Sequence, residues 1–300
     1  MDDQARLAQR FEEDRTRLRA VAYRMLGSAS EADDAVQETW LRLSRADVDE
    51  VENLGGWLTT VVSRVCLNLL RSRQSRREDT LDAPAYQPVV DREDGNDPEE
   101  EALLGDSVGL ALLVVLDTLA PAERLAFVLH DMFAVPFDEL GPMLERSPAA
   151  ARQLASRARR RVKGEAVVPD PDLPRQRRVV DAFLAATRGG DFQALVALLH
   201  PDVVLRADRA VGPTLEPVVV LGAHTVAKGA MAAMGRARST EAALVNGTAG
   251  LAMARQGRLF LVLSFTITVD AVTEVEAITE IDVIAERDRL DKLRLAVLDA

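Results

Sequence analysis

Residues 147–163, SPAAARQLASRARRRVK, constrain this chain more than any other stretch. Ser147 is a good N-cap, and Pro148 suits the first helical position, where its missing N–H costs nothing. Ala151, Leu154, Ala155, Ala158 and Val162 recur at three- and four-residue spacing. That gives a narrow face of small residues able to pack close to another helix. The opposite face carries Arg152, Gln153, Ser156, Arg157 and Arg160, side chains suited to phosphates and base edges. A short helix before it, Pro136 to Leu144, ends in Glu145-Arg146, a turn of the right length to join two crossed helices. Cap, turn and packing face agree on a helix-turn-helix entering a DNA major groove, rather than a solvated basic helix.

A net charge of −11 argues at first against nucleic acid. Its distribution reverses that impression. Residues 81–109 hold 9 acidic side chains against 1 basic, while residues 110–166 hold 7 against 8. Screening beyond about 8–10 Å at physiological salt leaves local patches, not the total, to decide DNA contact. A single cysteine, Cys66, excludes a disulfide within the chain. With three scattered histidines (His130, His200, His224) it offers no zinc-ligand spacing, and nothing in the sequence asks for a cofactor. No apolar run reaches membrane-spanning length and the N-terminus is charged, so no membrane partner and a cytoplasmic location are expected.

Three hundred residues suggest two or three domains. Residues 1–80 read as helical. Arg6 to Leu26 ends at Gly27, and Ser28 and Ser30 offer caps for a second helix with Glu31 or Asp33 in capping-box position. A third runs from Trp57 to about Arg73 after the loop Asn53-Leu54-Gly55-Gly56. Its buried stripe is Leu58, Val61, Val62, Val65 and Leu69; Ser63, Arg64, Asn68, Arg71 and Arg73 face outward. Residues 81–109 form an acidic, proline-bearing linker, 110–166 the helix-turn-helix domain, and 167–172 a short hinge. In 173–300 come helices Arg175–Arg188 and Phe192–Leu199, stopped by His200-Pro201. Strand patterns follow over Val218–Leu221, Thr248–Arg255, Leu259–Val269 and Val275–Ile284. Helices followed by a meander of strands predict an α+β domain with a curved antiparallel sheet around a helix.

DDAVQETWLRL (33–43), GGWLTTVVSRVCLNLLRSRQSRR (55–77) and LAPAERLAFVLHDMFAVPFDELGPMLERSPAAARQLASRARRRV (119–162) resemble regions 2 and 4 of extracytoplasmic-function sigma factors, in family order. Residues 173–300, with AFLAATRGGDFQALVALLHPDVVLRAD and the NGTAG of 246–250, resemble the cone-shaped SnoaL-like fold of the group carrying that extension. Two departures stand out: Asn68 where the family often has Asp, and DAPAYQP (82–88) in place of a Trp-Leu-Pro-Glu-Pro-like linker. The expected fold is thus two all-α domains plus an α+β cone.

The resemblance implies promoter-specific transcription initiation, with core RNA polymerase and promoter DNA as partners. Asp34, Gln37, Glu38, Leu41 and Arg42 would dock on the polymerase clamp, with Trp40 adding apolar bulk. Asn53, Trp57, Arg64, Asn68, Arg71 and Arg73 would open and read the minus-ten element, Trp57 being either a stacking platform or a buried side chain. Ala150, Arg152, Gln153, Ser156, Arg157 and Arg160 would read the minus-thirty-five duplex. Asn246, Gly247 and Gly250 are either a plain turn or a regulatory contact with the sigma half. The alternative is a DNA-binding regulator fused to a cyclase or isomerase, or to a small-ligand sensor. Asp202, Asp208, His224 and Asp282 are then the candidate acids and bases, although no spacing forces them to converge.

Overall fold

The computed structural model describes residues 3–46, 51, 53–79, 109–163, 172–211, 216–233, 235, 240–255, 258–269 and 276–298. The expected acidic linker and the hinge lie outside these, apart from Gly109 and Asp172. Helix α1 spans Asp3–Leu26 and stops where Gly27 takes a φ of 76°. Helix α2, Ala29–Leu43, opens on Ser28, whose Oγ accepts the Glu31 N–H at 3.5 Å. Helix α3 covers Leu54–Asp79, starting earlier than expected. The Asn53 side chain accepts the Gly56 N–H at 2.9 Å, so the segment read as a loop is a cap and a first turn.

The buried side of α3 also differs from the expected stripe. Leu58, Val62 and Val65 are in the core, but so are Ser63, Leu67 and Leu70, while Leu69 is exposed. The reason is that α3 packs against α1, α2 and the helix Pro121–Phe127 at once, which widens its buried sector beyond one stripe.

The described chain divides into two compact units. The first holds α1 to α3 with residues 119–159; the second holds residues 109–118 and those from 160 onward. Helix α4, Leu110–Asp117, therefore belongs to the second unit. In the first unit, α5 (Pro121–Phe127) passes into a π-turn over Val128–Met132, and α6 (Phe137–Met143) precedes α7 (Pro148–Val162). The last turn of α7 counts with the second unit. The segment expected as one domain at 110–166 is thus shared between the two cores.

In the second unit α8 is Leu173–Gly189, α9 Phe192–Leu198, α10 Ala223–Ala232 and α11 Arg287–Leu290. Strands β1 (Leu199–Ala207), β2 (Val218–Leu221), β3 (Thr240–Val245), β4 (Thr248–Arg255), β5 (Arg258–Val269), β6 (Glu276–Ile284) and β7 (Leu295–Val297) form one sheet in the order β2-β1-β6-β5-β4-β3-β7. All its pairs are antiparallel except β1 with β6, and breaks of register in three pairs bend it. This is the α+β layering expected. One face carries Leu251, Phe265, Ile278 and Ile281 against Val180, Phe183 and Leu195 of the helices. The other carries Ala243, Val245, Ala252, Val262 and Ile284, covered by Val114 and Val115 of α4.

Two strands were not legible in the sequence, and a third, β1, begins earlier than the helix-to-strand junction expected at His200-Pro201-Asp202. β1 starts directly at Leu199, so His200-Pro201 lies inside a strand rather than only stopping a helix. β3 has apolar neighbours on both faces and so shows no alternation, and β7 is three residues long.

Candidate nucleic-acid interface

Local chemistry builds the helix-turn-helix as the sequence suggests. Ser147 Oγ accepts the Ala150 N–H at 3.2 Å, and Glu145 reverses the chain with a φ of 56°. The Arg146 N–H bonds to the Gly141 carbonyl at 2.9 Å. A Cβ on Gly141 would lie 2.9 Å from the Arg146 oxygen, so only glycine lets the turn fold back this closely. Ala151, Ala155 and Ala158 are fully buried, the small-residue face expected of α7.

Arg152, Gln153, Arg157 and Arg160 are exposed, with Ala150 and Ser156 half-buried. The Arg152 guanidinium lies 5.1 Å over the Phe137 ring, which itself stacks on His130 at 3.8 Å. Arg157 Nε donates to Glu123 Oε1 at 2.8 Å, and Arg159 pairs with Asp131 at 2.7 Å. Two of the arginines expected to meet DNA are therefore held in place from below, by an aromatic face and by a carboxylate. Glu123 and Asp131 went unnoticed in the sequence because they sit among apolar residues of another helix and its π-turn. Arg160 makes no ion pair among the described residues.

On α2, Asp34, Gln37 and Leu41 are exposed and the Arg42 Nε donates to the half-buried Glu38 at 2.8 Å. Leu41 is 40% exposed, an apolar side chain ringed by charge. Trp40 leans on Phe11 with ring centroids 5.1 Å apart, while Asp33 is tied to Arg19 at 2.7 Å.

Along α3, Asn53, Arg64, Asn68 and Arg71 are exposed and Trp57 is half-buried. Arg73 departs from its expected outward position: its side chain is 11% exposed and paired with Glu31 of α2. Asn53 borders a polar cavity of about 210 Å³ with Arg17, Thr59, Phe133, Pro136 and Glu139. Residues of the 119–159 segment bond to the helical bundle in this unit. Arg124 Nη1 donates to the Met25 carbonyl at 2.9 Å, and Arg64 Nη2 to that of Pro142 at 3.4 Å. Arg24 lies 5.2 Å over Phe133.

The NGTAG residues form the β3–β4 hairpin. Asn246 and Gly247 have φ of 52° and 102° between the paired Val245 and Thr248, the geometry of a two-residue turn. Asn246 exchanges two bonds with Arg294, N–H to carbonyl at 2.8 Å and Oδ1 from the Arg294 N–H at 2.9 Å. A Cβ at Gly250 would stand 2.6 Å from Val245 Cγ2 and 2.7 Å from the Leu263 oxygen. The turn and the tight sheet account for all three residues.

The four candidate acids and bases do not converge. Asp208 is buried, its Oδ2 accepting the N–H groups of Ala285 and Glu286 at 2.9 and 2.8 Å, so it fastens the end of β6. His224, in the first turn of α10 rather than a bare turn, borders a cavity of about 270 Å³ with Val196, Leu199, Pro201, Gly222 and Thr225. Asp202, Asp208 and Asp282 do not line it. Among the described residues no three His, Cys, Asp or Glu side chains gather as a metal site, and no helix is long and apolar enough to cross a membrane.

Sigma-70 region 2 matches residues 10–76, and Sigma-70 region 4 matches 109–162. The ECF RNA polymerase sigma factor SigJ of Mycobacterium tuberculosis (strain ATCC 25618 / H37Rv) is 45% identical over 66% of this chain and 64% of its own length, just under two thirds of that protein. SigI of Mycobacterium tuberculosis (strain CDC 1551 / Oshkosh) is 37% identical over 69% of each chain. The crystal structure of the Mycobacterium tuberculosis extracytoplasmic function sigma factor SigJ aligns with 94% of this chain and 97% of that one, at 35% identity and a TM-score of 0.45. With both sigma regions in order and more than two thirds of a relative matched at 37% identity, the chain belongs to the extracytoplasmic-function (ECF) sigma factors.

Proposed function

We propose that this chain binds core RNA polymerase in the cytoplasm and directs it to promoters with two recognition elements. The observation that carries the reading is α7: a capped helix packed through three buried alanines, presenting Arg152, Gln153 and Arg157 outward on prepared supports. Arg152 and Gln153 lie toward the N-terminal half, where base edges of the minus-thirty-five element are reached. Ala150 and Ser156 add close contacts, and Arg160 grips phosphate. Asn53, Trp57, Arg64, Asn68 and Arg71 form the minus-ten surface. Arg73, paired with Glu31, supports that surface from within. Exposed Leu41 among Asp34, Gln37, Glu38 and Arg42 fits a polymerase docking face, apolar at its centre and charged around it.

The C-terminal unit modulates this activity through α4. That helix lies within the segment matched to region 4, yet Val114 and Val115 are buried on the C-terminal sheet and Asp117 Oδ2 accepts the Leu259 N–H at 3.0 Å. Asn246, Gly247 and Gly250 act here by shaping the hairpin beneath that face. A small apolar ligand in the His224 cavity is the second reading, favoured over cyclase chemistry because no candidate carboxylate lines the cavity. The deciding experiment is transcription in vitro with purified core polymerase, comparing the full chain with residues 1–166. Transcripts from the full chain and their loss in the truncation are expected. A full chain that neither competes for core polymerase nor yields any transcript overturns the reading.

A further inference from the structure

The stretch LHDMFAVPF (129–137) departs from regular helix in two ways, and both bear on Arg152. Over Val128–Met132 the backbone widens into a π-turn, which admits an extra residue and re-aims the side chains around it. Two residues on, Ala134 takes a φ of 56°, a conformation that its Cβ disfavours. Backbone bonds close the loop, from the Val135 N–H to the Leu129 carbonyl at 2.9 Å and from the Ala134 N–H to the His130 carbonyl at 3.1 Å. His130 Nδ1 donates to the Val135 carbonyl at 3.0 Å, which fixes the imidazole against the loop. Phe137, the first residue of α6, stacks on that imidazole with ring centroids 3.8 Å and planes 27° apart. The same phenyl ring carries the Arg152 guanidinium 5.1 Å from its centroid. Asp131, next in the π-turn, pairs with Arg159 of α7 at 2.7 Å. One irregular turn thus supports the recognition helix at two places, all within the first unit.

The stack is not simply core. His130 and Phe137 are only half-buried and Arg152 is exposed, so the three groups lie at the surface of the helix-turn-helix. Arg152 makes no hydrogen bond or ion pair among the described residues, whereas Arg157 spends its Nε on Glu123. A cation held by an aromatic face, not by a carboxylate, keeps its N–H donors for base edges. A long side chain reads an edge well only when its fork is already aimed, because ordering it on contact costs rotamer freedom. A fixed imidazole under a ring, and that ring under the guanidinium, supplies this aim.

We propose that Phe137 and His130 are positioning residues that set the base preference of Arg152 without themselves touching DNA. The inference rests on the reading that α7 enters the major groove. It makes the π-turn a determinant of which minus-thirty-five sequence is chosen, although the turn lies outside the recognition helix.

The test is a binding selection on randomised duplexes with the full chain, alone and joined to core polymerase. It is scored at the base pair whose preference Arg152→Ala abolishes, where a bidentate contact discriminates by about 5- to 150-fold. Phe137→Leu should cut that discrimination by about 3- to 10-fold. Affinity for mixed-sequence DNA and its salt slope should stay unchanged, since no charge is lost. Phe137→Tyr keeps the aromatic face and should keep the preference. His130→Asn keeps a donor for the Val135 carbonyl but removes the ring, and should lower the preference in the same direction. In an Arg152→Ala background, Phe137→Leu should change nothing further at that base pair. Where a lowered melting temperature disqualifies Phe137→Leu, His130→Asn decides by the same criteria. Full discrimination in the folded variant, an effect that persists without Arg152, or sequence selection that Arg152→Ala leaves untouched would each overturn the positioning role and leave DNA binding by α7 standing. A chain that selects no sequence in either state would sink both.

Discussion

Asn246, Gly250 and Cys66 show how much a single position is constrained by what surrounds it. Asn246 combines a left-handed backbone with two bonds to Arg294, so Asn246→Ala should cost about 1–2 kcal/mol and lower the urea midpoint of the C-terminal unit. Gly250→Val should cost more, because its Cβ meets both a side chain and a carbonyl oxygen below 3 Å. A Gly250→Val protein with an unchanged midpoint would contradict the tight register of β3, β4 and β5. Cys66 is fully buried in α3, and burial pushes its thiol up to about 12. The native protein therefore keeps its proton where the unfolded chain loses it. Stability should fall as pH rises through about 9 toward 12, and iodoacetamide should label Cys66 only after denaturation. NGTAG was legible as a turn from its residue types. The closeness of Val245 and Leu263 to Gly250 was not, since it depends on strands brought together by folding.

Among the helices, α7 and α3 hold charges that do different work from what their position along the chain suggests. Arg157 and Arg160 are three residues apart on one exposed face, yet among the described residues Arg157 is matched by a carboxylate, Glu123, and Arg160 by none. Glu123→Gln keeps an acceptor near Arg157 while removing a negative charge beneath the recognition helix. Affinity for mixed-sequence DNA should rise by about 3- to 10-fold at low salt and converge with the unmodified protein at high salt, as measured by fluorescence anisotropy. Arg152→Ala should change base preference in a binding selection, while Arg160→Ala should weaken all sequences alike. Arg73 belongs with neither. Its pairing with Glu31 across α2 and α3 makes Arg73→Ala a stability defect of about 2–3 kcal/mol, visible by calorimetry without any DNA. Helical periodicity placed α7 correctly because a single alanine face is buried. It misplaced Arg73, Ser63 and Leu69 because α3 is covered from three sides.

Across the molecule, the consequential feature is that α4 sits in the core of the C-terminal unit while its sequence belongs with region 4. A chain cut after residue 166 loses the sheet that buries Val114 and Val115. Each such side chain contributes about 1.5–3 kcal/mol when fully buried. Amide exchange over residues 110–117 should therefore accelerate by orders of magnitude in the truncation, and minus-thirty-five binding should weaken with it. Equal protection of that helix in the cut and full chains would show that the sheet is dispensable to it.

What the sequence determined by itself was local: the capped recognition helix, the helical first third, the order of the two sigma regions and the change to an α+β pattern after residue 172. Caps, turns and single-face periodicity are set by residues a few positions apart, so they can be read along the chain. Tertiary structure alone decided that β3 is a strand, that Arg157 and Arg73 are paired and that α4 joins the sheet. Each of these depends on a surface supplied by residues tens of positions away. When apolar residues are covered on more than one side, the pattern along the chain no longer says which side meets what.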